Sequence, residues 1–541
     1  MIRRECFGNA VDAAADQWQS AIGWVFGDDA VSFRDLQERA DELARGFIGC
    51  GVQAGDVVAI CTPNLAAFAY SFVACSKIGA ILCPVNTRSK SFEFQHILSH
   101  SEAKVLILVD RFLNQDFRGI VGAICGDGAI SGAGEVASPD LPALQRIVTL
   151  SEPAEPGALS WAALLDMGRT VSPEALTAVQ RRQRPQNPLL LQYTSGTTGR
   201  PKGALCDHVY VLNLGVDVFS RLGVKAGEAY LNTQPFYHIG GACAAFPVPV
   251  SLGCRLVTPV YYDPETVLRL IERERCVSRG GFDSMYIMEM NLPNFEEFDL
   301  GSLRSGWCVG MPEVLERVRE RMGIDQLVQL YGATEASGTS GQIDEPWELR
   351  SRSCGRPYAG VEIAILDPQT GEPCPVGTPG EITIRGWTTM IEYFKQPDET
   401  AKVINADGWV RTGDLGYVNA TGHLFFVSRL KDMMKVGGEN VSAEEVESVL
   451  LRHPKIKMTA VIGVPDERLQ EVVMAIVELH DNASATEGEI FEFCRERMAN
   501  FRVPRYVNFI DSWPMTGSGK IQKHVLRKKF AAVEPSITSK A

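Results

Sequence analysis

No apolar run long and clean enough to span a membrane occurs in this chain of 541 residues. The longest apolar stretch, residues 65–85, is interrupted by Lys77, Gly79 and Pro84. It reads as a core helix leading into a strand. Excess positive charge is also lacking. The formal net charge of −13 disfavours broad nucleic-acid binding but leaves local anion sites open. The fourteen cysteines include no C-x-x-C pair, so no structural zinc is read, and their scatter through apolar runs fits buried thiols in a reducing compartment. The first residues carry two arginines but no apolar h-region, which argues against a signal peptide. The end, Ser539-Lys540-Ala541, resembles a peroxisomal address without matching it, and cytoplasm is the expected location. A G-x-x-x-x-G-K-[ST] loop is absent. Gly517-Ser518-Gly519-Lys520 fails because Ile521 follows, and no G-x-G-x-x-G follows a strand.

What is present is an alternation of helix and strand signals. Residues 34–51 have helical spacing and a glycine stop, 55–64 a buried-strand pattern, 68–80 a helix, and 80–86 and 103–110 strands. Such alternation predicts parallel sheets covered by helices. Residues 120–160, rich in Gly, Ala, Ser and Pro, read as a surface excursion. Over 355–427 short β-rich segments separated by Pro/Gly turns predict an antiparallel or barrel-like subdomain, and from about 430 a small α+β pattern begins. The expected fold class is therefore α/β: a large domain over 1–429 with a small β-barrel-like subdomain, then a small mobile domain over 430–541.

The strongest chemical signal is YTSGTTGRPKG, 193–203, after the apolar 189–192. Glycines let backbone N–H groups approach phosphate oxygens, hydroxyls add donors, and Lys202 adds charge. Taken alone, such a run could be a flexible linker. His96 and His100 stand i, i+4 like two metal ligands, but no third ligand is apparent, and they read as ordinary helix residues.

The order of the motifs is more specific than any one of them. YTSGTTGRPKG resembles the phosphate loop of the adenylate-forming superfamily, which includes acyl-CoA synthetases. PFYHIGG (235–241), YGATEAS (331–337), DGWVRTGDLG (407–416), SRLKDMMKVGGENVSAEEVE (428–447) and PMTGSGKIQK (514–523) resemble its later motifs in the family order. The resemblance implies an ATP/AMP site at Thr194, Ser195, Gly196, Thr197, Thr198, Lys202, Tyr331, Gly332, Asp414 and Arg429. Tyr331 would stack on adenine, and Asp414 would hold the ribose. Lys520, Thr334 and Glu335 would be catalytic, with Glu335 also holding Mg2+. His238, Gly310, Gly332 and Ser337 would border the acyl group. Lys435, Gly437, Gly438 and Glu439 would meet CoA, and Lys431 would be the hinge. The family's Gly-Ala-Ala-Pro-like adenine turn is altered here to the shorter Gly310-Met311-Pro312.

The implied reaction joins a carboxylic acid to CoA through an acyl-adenylate, with ATP and CoA as co-substrates and Mg2+ as cofactor. Acetate-selective relatives carry a Trp where this chain has Gly332, so a bigger acid is expected: medium-chain, alicyclic or aryl. Phe282, Met285 and Met288 could line its pocket or simply pack a core. The partners expected are these small molecules, without nucleic acid or a membrane span; a homodimer stays open. The rivals are transfer of the acyl group to a carrier protein and a non-catalytic binding protein on the same fold.

Overall fold

The structure is a computed structural model that describes residues 2–151, 157–194, 201–436, 439–466, 468–516 and 519–530; the side chains of Lys431 and Asn440 also lie outside it. Two large sheets dominate. One runs Glu392–Tyr393, Lys202–Asp207, Pro188–Thr194, Ile81–Pro84, Val57–Cys61, Ala103–Leu108, Arg146–Thr149, Leu159–Ser160. Its pairs are parallel from Pro188–Thr194 to Leu159–Ser160. The other runs Gln326–Val328, Ser305–Val309, Ser278–Phe282, Ala229–Asn232, Arg255–Thr258, Ile22–Phe26, Asp29–Ser32, with only the last pair antiparallel.

The helices have local causes. Ser32 and Asp35 form a capping box at Phe33–Gly49. Asp207 caps His208–Arg221, and Asp263 caps a helix that begins with Pro264. The main core includes Phe7, Trp24, Phe68, Phe72, Phe236 and Phe246. An antiparallel four-stranded sheet, Val361–Leu366, Gly380–Gly386, Val410–Val418 and Leu424–Arg429, realises the antiparallel form of the expected subdomain. The turn Leu430–Asp432 leads into the last sheet, built on the hairpin of Ile456–Asp466 with Gln470–Leu479. All fourteen cysteines are free.

One reading needs correction. The stretch 120–160 is not merely an excursion: Arg146–Thr149 is a sheet strand, and its Ile147 and Val148 are fully buried. Its four residues were hidden by the turn-rich sequence around them. The motif at 193–203 follows a strand and precedes the helix that starts at His208; Lys202–Asp207 adds a second strand antiparallel to the first, with Thr194 opposite Lys202.

The stretch 65–85 forms the helix Ala66–Ile78 and the strand Ile81–Pro84. Among the described residues, no helix is long and apolar enough to cross a membrane. Lys77 is only 1% exposed, and its ammonium meets Asp12 Oδ1 at 2.6 Å and the Asp41 carboxylate. A buried charge is tolerated when it is paired, and is costly when its partners go. Asp12→Asn with Asp41→Asn is therefore expected to destabilise the protein by about 3–5 kcal/mol, read as a lower urea midpoint. Lys77→Met, which removes the buried charge itself, should cost far less.

Candidate active site

The C-terminal loop folds back onto the large domain. The Gly519 carbonyl accepts a 2.5 Å hydrogen bond from Ser284 Oγ, and Arg88 Nη1 donates to the Thr516 carbonyl at 3.4 Å. Lys520 N donates to Thr516 Oγ1 at 3.0 Å, which closes the loop on itself. The Lys520 ammonium stands 4.5 Å from the centre of the Phe282 ring. Met285 packs against Gly519.

Charges of both signs surround this ammonium. Asp414 Oδ2 accepts from Tyr331 Oη at 2.7 Å, and Arg429 Nε stands 3.6 Å from Asp414 Oδ1. Asp283, at the start of Asp283–Met290, accepts from its neighbour Ser284 N at 2.7 Å. Burial pushes the Lys520 pKa down to about 8; Arg429 adds to the fall, while Asp414 and Asp283 oppose it. His238 N-caps Ile239–Ala242 through Gly240 N at 3.1 Å. Burial, then the charge of Lys520, push its pKa down to about 3, so it is neutral. Burial raises the pKa values of Asp414 and Asp283 against the opposing pull of nearby cations.

The phosphate side is organised separately. Glu335 Oε1 accepts from Tyr393 Oη at 2.7 Å. Lys202 is ion-paired with Glu399 and lies 5.0 Å from the Tyr393 ring centre. Its charge is thus balanced by a partner that the motifs did not reveal. Lys202 and Lys402 together hold the Glu399 carboxyl at about 2. Tyr210 Oη donates to the Thr334 carbonyl at 3.3 Å. Ser195, Gly196, Thr197 and Thr198 lie outside the described residues, but both ends of their loop are tied. His100 Nδ1 and Tyr193 Oη are 2.7 Å apart, His96 Nε2 and the Pro201 carbonyl 3.0 Å, and the two rings stack at 5.5 Å. The i, i+4 spacing of the histidines was the visible signal of this contact.

Tyr331 is buried against Phe426, with ring centres 6.1 Å apart. The residues expected at the acyl group separate into small contacts. A Cβ on Gly332 would lie 2.3 Å from Ser337 Oγ, and one on Gly310 2.4 Å from Asp283 Cβ. A small recess of about 10 Å³ is bordered by Gly240, two residues after His238. Lys435 and Glu439 are exposed, whereas Gly437, Gly438 and the Lys431 side chain lie outside the described residues. The signal missed by motif reading is the set of contacts outside the motifs: Phe282 and Asp283 beside Lys520, Tyr393 beside Glu335, and Glu399 on Lys202.

The family described as "AMP-binding enzyme" matches residues 11–394, and "AMP-binding enzyme C-terminal domain" matches 445–520. The chain is 32% identical over 529 residues to a putative acyl-CoA synthetase, YngI, of Bacillus subtilis (strain 168), covering 96% of both. It is 30% identical to the mitochondrial medium-chain acyl-CoA ligase ACSF2 of Danio rerio, covering 96% of this chain and 87% of that one. The anthranilate CoA ligase AuaEII, solved with anthranoyl-AMP, superposes with a TM-score of 0.85 at 27% identity, covering 97% of each chain.

The Lys520 ammonium is charged below about pH 8 and neutral above it. If its charge drives the chemistry, kcat/KM for pyrophosphate release should fall as pH rises through about 8, since that ratio reports free-enzyme groups. Lys520→Arg, always charged, should lose this alkaline limb even at a lower rate. A limb that survives in Lys520→Arg would assign it to another group.

Proposed function

Because the chain belongs to the AMP-binding enzymes, the adenylate-forming superfamily of ATP-dependent ligases, we propose that it activates an apolar carboxylic acid as its adenylate and passes the acyl group to CoA. The observation that carries this reading is the placement of Lys520. A lysine from the C-terminal loop is pressed between Phe282, Asp283 and the Asp414–Arg429 pair of the large domain.

A carboxylate is a poor electrophile, because its leaving group would be oxide. Attack of its oxygen on the α-phosphorus forms an acyl–O–P bond and breaks the bond to pyrophosphate. Two anions approach each other, so charge must be neutralised where it builds. Lys520 would meet the acid's carboxylate and the α-phosphate together. Asp414 and Arg429 would hold the ribose edge, with Tyr331 at the adenine. Thr334 and the hydroxyls of 194–198 would donate to phosphate oxygens.

Among the described residues no cluster of three His, Cys, Asp or Glu could hold a metal alone. A single hard carboxylate at Glu335, oriented by Tyr393, suits Mg2+ shared with phosphate oxygens. When bound, the ion would offset phosphate charge.

Thiol attack then needs Lys520 out of the way. We assign the division between the units to 429/430 and the hinge to Lys431, with 435–439 brought to the CoA arm after rotation. Besides the bonds of Gly519 to Ser284 and of Thr516 to Arg88, the two units share Glu313, whose Oε1 accepts from Ser448 Oγ at 2.9 Å and pairs with Arg452 at 2.8 Å. A half-exposed pair of this kind is worth about 0.2–1 kcal/mol. Such a tie biases the closed state without locking it. Cytoplasmic placement and transfer to CoA rather than to a carrier protein belong to the same proposal.

Pyrophosphate release across a panel of acids, with and without CoA, tests the reading. Turnover that requires CoA for the full cycle is expected, with Lys520→Ala lowering adenylation by about 10²–10³ while ATP still binds. Turnover indifferent to CoA would favour another acceptor. ATP binding without adenylation of any acid would favour the non-catalytic reading. Glu313→Ala should slow adenylation by no more than about fivefold and leave thioester formation from preformed adenylate unchanged.

A further inference from the structure

The small recess bordered by Gly240 lies on one row of side chains across the seven-stranded sheet. Asn232, Gly280 and Trp307 are paired neighbours in three adjacent parallel strands and point to the same face. Gly280 leaves the middle of this row empty, and the Trp307 indole leans into the space. A Cβ on Gly280 would lie 1.9 Å from the indole Cε2. The space that remains is about 10 Å³ and is also lined by Phe219, Gly240, Ala244 and Ala245. That is room for about one water.

The row is aligned with the reacting end. Phe282 follows Gly280 by two residues in the same strand, so it stands on the same face about 6–7 Å further along. Its ring meets the Trp307 ring edge-on, with centres 6.3 Å apart, and carries the Lys520 ammonium on its other contact. An acid whose carboxylate met Lys520 would have Phe282 beside it, and Gly280 and Trp307 next along the same face. The lining offers the tail no free polar partner. Asn232, its one polar side chain, already donates to the Gln234 carbonyl at 2.7 Å and accepts from Gln234 N at 3.0 Å. Trp307 itself is fixed, with its carbonyl accepting from Tyr286 Oη at 2.9 Å.

We infer that Trp307 is the end stop of the acyl pocket, so that the enzyme takes a compact, apolar monocarboxylic acid with a tail a few carbons long and excludes longer chains and second carboxylates. This rests on the ligase reading and places its acid at or below the short end of the medium-chain range expected from Gly332. The glycine at 280 and the tryptophan at 307 act together: the first makes the slot, and the second sets its depth.

Pyrophosphate release is measured with straight-chain acids from butyrate to laurate, and with glutarate, for the full-length protein and for Trp307→Ala, Trp307→Phe and Gly280→Ala. The wild type should favour the short acids and discriminate against glutarate by about a hundredfold, the expected penalty of an unpaired buried charge. Trp307→Ala should raise kcat/KM for decanoate relative to butyrate by about tenfold or more, mainly through KM. Trp307→Phe, which keeps an aromatic ring in the strand, should give a smaller shift in the same direction and decides the matter if the alanine variant does not fold. Gly280→Ala, which drives the indole into the slot, should shift preference the other way. A wild type that prefers laurate, or a chain-length profile unchanged in Trp307→Phe and Trp307→Ala, overturns the end stop while leaving the ligase intact. Absence of adenylation with every acid overturns both.

Discussion

The ammonium of Lys520 must be taken out of water at a junction between two parts of the chain and still be available as a charge. Burial alone would neutralise it. Here the cost is shared. Asp414 and Asp283 stabilise the charged form, Arg429 opposes them, and the Phe282 ring offers its electron-rich face. The outcome is a lysine that titrates within reach of physiological pH rather than far above it. Every element around the site follows from that placement. The strand Ser278–Phe282 ends at the ring, the helix Asp283–Met290 begins with the carboxylate, and the strand Val410–Val418 carries the aspartate paired with Arg429.

The contact that delivers the lysine is thin. Gly519 reaches Ser284 and Met285, Thr516 reaches Arg88, and Glu313 reaches Ser448 and Arg452. Apolar contact adds Met458, Trp513, Met515 and Ile521 to the cluster beneath Asp283–Met290. The small unit has its own interior, with Val446, Leu450, Val461 and Val473 at its centre. It is also tied internally, since Arg527 on the last helix binds Asp432 in the connecting turn at 2.7 Å. A unit with a complete core and few polar ties to its neighbour is able to move as a body.

Much of this was legible in sequence because period and punctuation are local. The helix Phe33–Gly49 announces itself through spacing and a glycine stop, and the strands Val57–Cys61 and Ala103–Leu108 through apolar runs. Lys520, Asp414 and Arg429, which stand in separate motifs along the sequence, come together at one place in the fold. The strand Arg146–Thr149 was not legible, because its partner is Ala103–Leu108 and its flanks are turn-rich. Nor was the partner of Lys202: Glu399 lies far along the chain on a helix with no motif. Trp307 escaped for the same reason, since its meaning depends on Gly280 in the neighbouring strand.

That dependence points to a common construction. At Gly280, Gly310 and Gly332 a side chain from elsewhere lies where a Cβ would be: the Trp307 indole, the Asp283 carboxyl and the Ser337 hydroxyl. Each glycine lets another side chain pack directly onto the backbone. The result is rigidity in the directions that face the substrate, combined with a lysine that arrives from a separately packed unit. In the proposed reading such walls set what enters, and the lysine of the small unit sets when the chemistry proceeds. A larger residue at any of the three positions would have to displace the side chain that lies there. The absence of a side chain there constrains the site as firmly as the motif residues do.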